Sequence, residues 1–262
     1  VPDTPAAFLI LDDALAAIGD GSSYLLTGDE GRHAAKVARI RAGERILLSD
    51  AEGRQAPAEV TEARKEELLL RLEADPSDPV RRSPRLTLVQ ALATGGRDEQ
   101  AIESATELGA DRITPWMAQR SVSVWRGEKQ RRGRARWEGT VRAAVKQCRR
   151  RGIPAVDAPL ATRELVEDLS ARMAQGSLVL VLHEQESVGL MSLAGELEEA
   201  ARRAVPEIVV VVGPEGGIAP EELAALRESG ARSVLLGPEV LRSSTAGPSA
   251  LAVVSALVGR WG

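Results

Sequence analysis

Ile208-Val209-Val210-Val211-Val212-Gly213-Pro214-Glu215-Gly216-Gly217 is the stretch that decides the fold class of this chain. Five consecutive β-branched residues suit a strand buried on both faces, as in a parallel sheet covered by helices on either side. The strand breaks at once into a glycine-rich turn, where the backbone can approach a flat ligand closely and take conformations that other residues avoid. Two other stretches have the same form. Leu178–Leu182 runs into His183-Glu184, and Ser233–Leu236 runs into Gly237-Pro238-Glu239-Val240-Leu241-Arg242-Ser243-Ser244-Thr245-Ala246. In a parallel sheet, loops beyond the carboxyl ends of the strands form the ligand crevice.

Further strands are expected at Leu86–Leu92 and Arg112–Pro115, and helices at Asp98–Leu108, Gly127–Arg151, Thr162–Ala174, Pro220–Glu228 and Ser244–Val258. Strands alternating with helices define an α/β domain. Pro220 opens its helix at the first position, with Glu221 and Glu222 in the first turn. The amino-terminal part reads differently. Phe8–Leu11, Tyr24–Leu26 and Ile46–Leu48 are short strands, and Val60–Leu72 is one long strand or a hairpin turning at Lys65-Glu66-Glu67. Asp29–Ile40 has helical spacing, with Ala34, Val37 and Ala38 on one face and His33, Lys36 and Arg39 on the other. Residues 1–75 are thus a small β-rich domain, a barrel. Asp75-Pro76-Ser77-Asp78-Pro79 marks a linker over 76–84, and the α/β domain covers 85–262.

The chain has 262 residues, a length of one to two domains. Only six residues are Phe, Trp or Tyr, which argues against an RNA-recognition sheet built on exposed aromatics. A single cysteine, Cys148, allows no internal disulfide and no cysteine zinc site, which fits a reducing cytosol and a cytoplasmic location. With two distant histidines, no metal site is expected. No apolar run is long enough to span a membrane. The start, Val1-Pro2-Asp3-Thr4-Pro5, lacks the regions of a signal peptide and an initiator Met, as a trimmed start would.

The net charge of −4 conceals an asymmetry. Arg126–Arg151 holds eleven Lys/Arg against two acids, so the remainder of the chain is strongly acidic. A basic stripe with almost no compensating acids points to a polyanion. Phosphate is a poor occupant for the crevice itself. The chain has no G-x-x-x-x-G-K-[ST], Gly213–Gly217 does not match G-x-G-x-x-G, and Glu215 would repel phosphate but not a sulfonium.

Together these motifs resemble the RsmE family of the SPOUT methyltransferase superfamily. Gly213–Gly217, followed one strand–helix unit later by Leu236-Gly237-x-x-x-Leu241-Arg242-x-Ser244-Thr245-Ala246, is similar to the family's carboxyl-terminal signature. Glu107-Leu108-Gly109-Ala110, Ile113-Thr114-Pro115 and Gln119-Arg120-Ser121 resemble its E-L-G…P…R-S segment. Arg32-His33 through Lys36 and Arg39 to Gly43 resemble its amino-terminal H-x-x-x-V-x-R-x-x-x-G. Three departures stand out. Ser244 occupies a position where the family often has Glu, Lys146 stands where it has an acid, and an arginine usual near Phe8 is missing.

The resemblance implies a PUA-like barrel followed by an α/β domain with a deep trefoil knot, forming a homodimer through the knotted domain. It implies S-adenosylmethionine held by Leu182, His183, Glu184, Gly213, Pro214, Glu215, Gly216, Gly217, Leu236, Gly237, Leu241 and Arg242. It implies methylation at N3 of a uridine in 16S ribosomal RNA of the small subunit. Arg242 is the candidate cation that favours the uridine anion, unless it salt-bridges Glu215 or Glu239 and only shapes the loop. Thr245 touches substrate or caps the following helix. His33, Lys36, Arg39, Arg120, Lys146, Arg149 and Arg150 are the candidate RNA contacts. Trp125 and Trp137 stack on bases or pack in the core. No covalent nucleophile is needed, so Cys148 is a helix residue. The competing readings are a SPOUT enzyme acting on a ribose 2′-oxygen and a non-enzymatic RNA-binding assembly factor.

Overall fold

A computed structural model describes residues 5–11 and 14–261; Val1–Thr4, read above for a leader, lie outside them. The chain divides into two compact units, Val1–Arg81 with Val145–Ile153, and Arg82–Ala144 with Pro154–Gly262.

The first unit contains β1 (Ala6–Leu9), α1 (Ala14–Ala17), β2 (Ser23–Leu26), α2 (Gly28–Arg32), β3 (Arg45–Ser49), β4 (Gln55–Ala63) and β5 (Leu68–Leu72). Its sheet has the order β1-β3-β4-β5-β2, antiparallel except for the parallel β1–β3 pair. Strand alternation turns Ala56, Ala58 and Val60 inward, where they meet Phe8, Ile46, Leu48, Leu68 and Leu70 in one core. Val60–Leu72 is the hairpin alternative, closed by the Arg64 N–H on the Glu67 carbonyl at 2.9 Å.

The helix expected over 29–40 is shorter and changes register. After α2, His33–Val37 forms a π-helical turn, with the Ala38 N–H on the His33 carbonyl at 2.9 Å. The extra residue in that turn shifts the phase. Ala34 stays buried, but Val37 is 68% exposed and Ala38 is exposed too, contrary to the face assigned to them.

Residues 75–80 are pinned along this unit. Asp75 accepts the Asp20 N–H at 2.9 Å, and the N–H groups of Ser77 and Val80 donate to Gln55 and Glu52 carbonyls. Val145–Ile153 joins the same unit through the Ile153 N–H on Ala51 at 2.8 Å and the Arg151 guanidinium on the Gly53 carbonyl.

The second unit contains β6 (Arg85–Ala91), α3 (Arg97–Glu107), β7 (Arg112–Met117), α4 (Glu128–Cys148), β8 (Ala155–Val156), β9 (Leu160–Ala161), α5 (Thr162–Ala174), β10 (Leu178–Leu182), α6 (Ala194–Arg202), β11 (Glu207–Val212), α7 (Pro220–Glu228), β12 (Arg232–Val234) and α8 (Ser243–Leu257). The last turn of α4 falls in the first unit. The helix stops at Cys148, short of the expected Arg151, because Arg149 takes a left-handed φ of 54°.

The sheet order is β12-β10-β11-β6-β7-β8, with β9 also on β7 and every pair parallel. Every residue of β11 is buried, as its apolar run requires. One face of the sheet packs Leu86, Leu88, Val210 and Val212 against Leu251 and Val254 of α8, and the other packs Val89, Val209 and Val211 with Leu165, Leu223 and Leu226. Gly247 lets α8 lie close to the first face, since a Cβ there would sit 2.8 Å from Leu88 Cδ1. Trp125 and Trp137 pack edge to face at 5.2 Å, both buried, so core packing is their role.

Candidate functional site

The carboxyl ends of β10, β11 and β12 surround one cavity of about 450 Å³ in the second unit. The first loop gives Leu182, His183 and Glu184, and the second gives Gly213, Pro214, Glu215 and Gly217. The third gives Leu236, Gly237, Leu241 and Arg242. Of the residues expected around the methyl donor, Gly216 alone is absent from the lining. Its Cα lies against Arg120, where a Cβ would meet the Arg120 carbonyl at 3.2 Å.

Local chemistry fixes the second loop. The Gly217 N–H donates to the Pro214 carbonyl at 2.9 Å, closing a turn in which Gly217 takes φ +72°. A Cβ on Gly213 would lie 2.6 Å from Ile218 Cγ1, so only glycine fits. The next helix starts where Pro220 was expected to open it. The buried Glu222 accepts the Ala219 N–H at 3.2 Å and the Gln119 N–H at 2.8 Å, and the Thr162 hydroxyl donates to it. Glu222 therefore anchors both the α7 start and the segment carrying Arg120. Arg120 donates to the Gly216 carbonyl at 3.3 Å, so this expected RNA contact also touches the second loop.

Arg242 is the N-cap of α8, its carbonyl accepting the N–H groups of Thr245 and Ala246 at 2.8 and 2.9 Å. Its side chain is exposed, and among the described residues no carboxylate pairs with it. The salt bridge to Glu215 or Glu239 weighed from the sequence is not formed. Thr245 is exposed, lies within the first turn rather than at the cap, and is not part of the cavity wall. Ser244 is buried.

Glu215 has other partners. Its Oε1 accepts the Thr94 N–H and the Arg97 guanidinium, each at 3.0 Å. Burial alone would raise this carboxyl. The N–H groups of Thr94 and of Glu215 itself, and then the Arg97 charge, outweigh burial and hold it below the usual carboxylate range. Arg97 also lines the cavity and was not among the sequence candidates. A signal existed: Thr94-Gly95-Gly96-Arg97 follows β6 as Gly213–Gly217 follows β11.

The candidate RNA contacts divide between the units. Arg120 belongs to the second; His33, Lys36, Arg39, Lys146, Arg149 and Arg150 belong to the first. His33 packs its ring on Phe8 at 6.1 Å between centroids, and Arg39 takes φ +57°. Lys36 pairs with Glu66 at 2.5 Å, and Lys146 pairs with Glu30. The basic stripe is more compensated than its sequence suggests. Glu128 and Glu138 each serve two arginines, and Glu99 from α3 pairs with Arg136. Among the described residues no cluster of His, Cys, Asp and Glu could hold a metal, and no helix is long and apolar enough to cross a membrane.

Known proteins share this architecture in order along the chain. Residues 81–255 match the RNA methyltransferase domain family, and residues 26–73 match the RNA methyltransferase PUA domain. The chain is 46% identical to the ribosomal RNA small subunit methyltransferase E of Mycobacterium bovis, over 92% of this chain and 89% of that protein. A Legionella pneumophila methyltransferase solved with its bound cofactor SAM superposes with a TM-score of 0.81 at 26% identity, over 96% of this chain and 97% of that one. The ribosomal RNA small subunit methyltransferase E of Neisseria gonorrhoeae, solved with S-adenosyl methionine, gives 0.81 at 25% identity, over 97% and 98%.

Fold and site thus define an RNA methyltransferase with an amino-terminal PUA domain and a parallel α/β methyltransferase domain. The chain belongs to the ribosomal RNA small subunit methyltransferase E family.

Proposed function

We propose that this protein transfers a methyl group from S-adenosylmethionine to N3 of a uridine in 16S ribosomal RNA. The observation that carries the reading is one cavity built from three strand ends, two of them turning on glycine, with the Arg242 guanidinium, unpaired with any carboxylate among the described residues, in its wall. Its volume falls within the range usual for cofactor sites. Leu182, Val212, Ile218, Leu236 and Leu241 offer apolar walls, and Glu184, Glu215 and Glu239 offer acceptors beside them. That mixture suits an adenosine and a cationic amino acid chain.

Bound S-adenosylmethionine supplies an electrophilic methyl group on a sulfonium. The protein must bring N3 of the base in line with it. The N3 proton must pass to solvent water for the lone pair to attack, and negative charge then spreads onto the uracil carbonyl oxygens. Arg242 carries a guanidinium that no carboxylate neutralises among the described residues, and it stabilises that charge. The C–S bond breaks as the N–C bond forms, and neutral S-adenosylhomocysteine leaves.

Arg120, Arg149, Arg150 and the His33–Arg39 turn contact phosphates, where charge positions RNA without reading its sequence. Lys36 and Lys146 are partly spent on Glu66 and Glu30 and contribute less. The domains are assigned to 1–75 and 85–262, with 76–84 between them. A trefoil knot, a homodimer through the knotted domain, the small ribosomal subunit as partner and a cytoplasmic location follow from the family resemblance.

The test is methyl transfer from labelled S-adenosylmethionine to unmodified small subunits, with the modified nucleoside identified by mass. N3-methyluridine is expected. A 2′-O-methyl product, or no transfer to any ribosomal RNA, would overturn the assignment.

A further inference from the structure

The sequence shows three strand-end loops around the cavity, and the structure adds a fourth. Thr94-Gly95-Gly96 follows β6, the strand beside β11, and turns with two successive left-handed glycines at φ +64° and +75°. Gly96 is the N-cap of α3, and it offers the helix no side-chain cap. The turn sets the Thr94 N–H and the Arg97 guanidinium side by side on one oxygen of Glu215. Arg97 is the first residue of α3, where the helix dipole disfavours a cation. A charge that is locally misplaced needs a compensating partner or a function. Glu215 is that partner, and it belongs to the loop that walls the cavity.

We propose that Arg97 is a positioning residue for the methyl donor. Acting through Glu215, it clasps Gly213–Gly217 to the β6 loop and so holds the cavity wall in its binding geometry. The clasp fixes the orientation of the Glu215 carboxylate in the cavity wall. Arg97 and Arg242 then divide the work. Arg97 governs donor affinity, and Arg242 governs the chemical step.

This inference rests on reading the cavity as the donor site, and the experiment separates the two. S-adenosylhomocysteine affinity is measured by calorimetry for wild type, Arg97→Ala, Arg97→Lys, Glu215→Gln and the Arg97→Ala/Glu215→Gln double variant. RNA affinity and melting temperature are recorded alongside. Arg97→Ala is expected to weaken S-adenosylhomocysteine binding about tenfold, at unchanged RNA affinity. Arg97→Lys recovers most of the loss. The double variant is no weaker than the worse single one, since both break one interaction. Failure of wild type to bind S-adenosylhomocysteine would sink the donor reading itself. Wild-type binding with full affinity retained in Arg97→Ala would overturn the clasp alone. So would a loss confined to RNA affinity, or losses that add in the double variant.

Discussion

The two ends of the seven-stranded sheet differ in what their charged groups are left to do. At the amino-terminal end, charges are buried and satisfied. Glu207, the first residue of β11, is 2% exposed, accepts the Thr87 hydroxyl at 2.5 Å and pairs with Arg172. Burial opposes the Arg172 charge, but Glu207, Asp168 and Asp157 outweigh it and raise its pKa. Nearby, Asp111 accepts the Leu86 N–H and the guanidinium of Arg260, which also reaches the Pro84 and Gly109 carbonyls. At the carboxyl-terminal end, the backbone turns on glycines, Arg242 has no carboxylate partner among the described residues, and Val240 is 77% exposed. Glu215 and Glu222 are satisfied at this end too, so it is the uncompensated Arg242 that separates a site that binds from a base that holds.

The comparison breaks if changes at one end produce the signature of the other. The largest effect is expected at Arg242. Its replacement by Ala should lower methyl transfer about 100- to 1,000-fold, leaving S-adenosylhomocysteine affinity within a few-fold. A large loss of that affinity in calorimetry would make Arg242 a loop-shaping residue instead. Glu207→Ala should cost about 3 kcal/mol of stability by stranding buried partners, which lowers Tm by roughly 6–12 °C. Its donor affinity should remain that of wild type; scanning calorimetry and titration check both halves.

Gly213→Ala sharpens the contrast from the other side. The new Cβ would meet Ile218 at 2.6 Å, so donor affinity should fall about tenfold, equivalent to about 1.4 kcal/mol, with a smaller change in Tm than Glu207→Ala produces. The smallest effect concerns pH. The folded pKa of Glu215 lies below its ordinary 4.5, so the ionised clasp is complete above that value and is lost only as pH falls through the lowered one. Donor affinity should therefore be flat between about pH 8 and 5 on account of this group. A titration step near neutrality that Glu215→Gln removes would contradict the assignment.

The site was readable in the sequence to the extent that it lies on consecutive residues. Ile208–Val212 announces a doubly covered strand because all its side chains must be apolar, and the turn is marked by Gly213, whose Cβ would strike Ile218, and by Gly217, whose φ is left-handed. Arg97 was not readable as a partner of Glu215, since 118 residues separate them and nothing in either segment names the other. The π turn at His33–Val37 was missed because its one-residue shift preserves helical composition while rotating Val37 outward. β8 and β9 have two residues each, too few to show a period. Val145–Ile153 reads as the tail of a basic helix, and its place in the first unit depends on one backbone bond to Ala51 and the Arg151 guanidinium on Gly53, which leave no mark in the sequence.

The β6–β11 pairing has a consequence for how the chain is made. Thr87 and Glu207, which meet across it, are 120 residues apart. At the usual pace of about 5–20 residues per second, a nascent β6 waits roughly 6 to 24 s for its neighbour to be synthesised. During that interval an apolar edge destined for the centre of the sheet is open to wrong partners. Such non-local parallel pairing is intrinsically slow to form, so this domain is expected to depend on chaperone shelter more than its size alone would suggest.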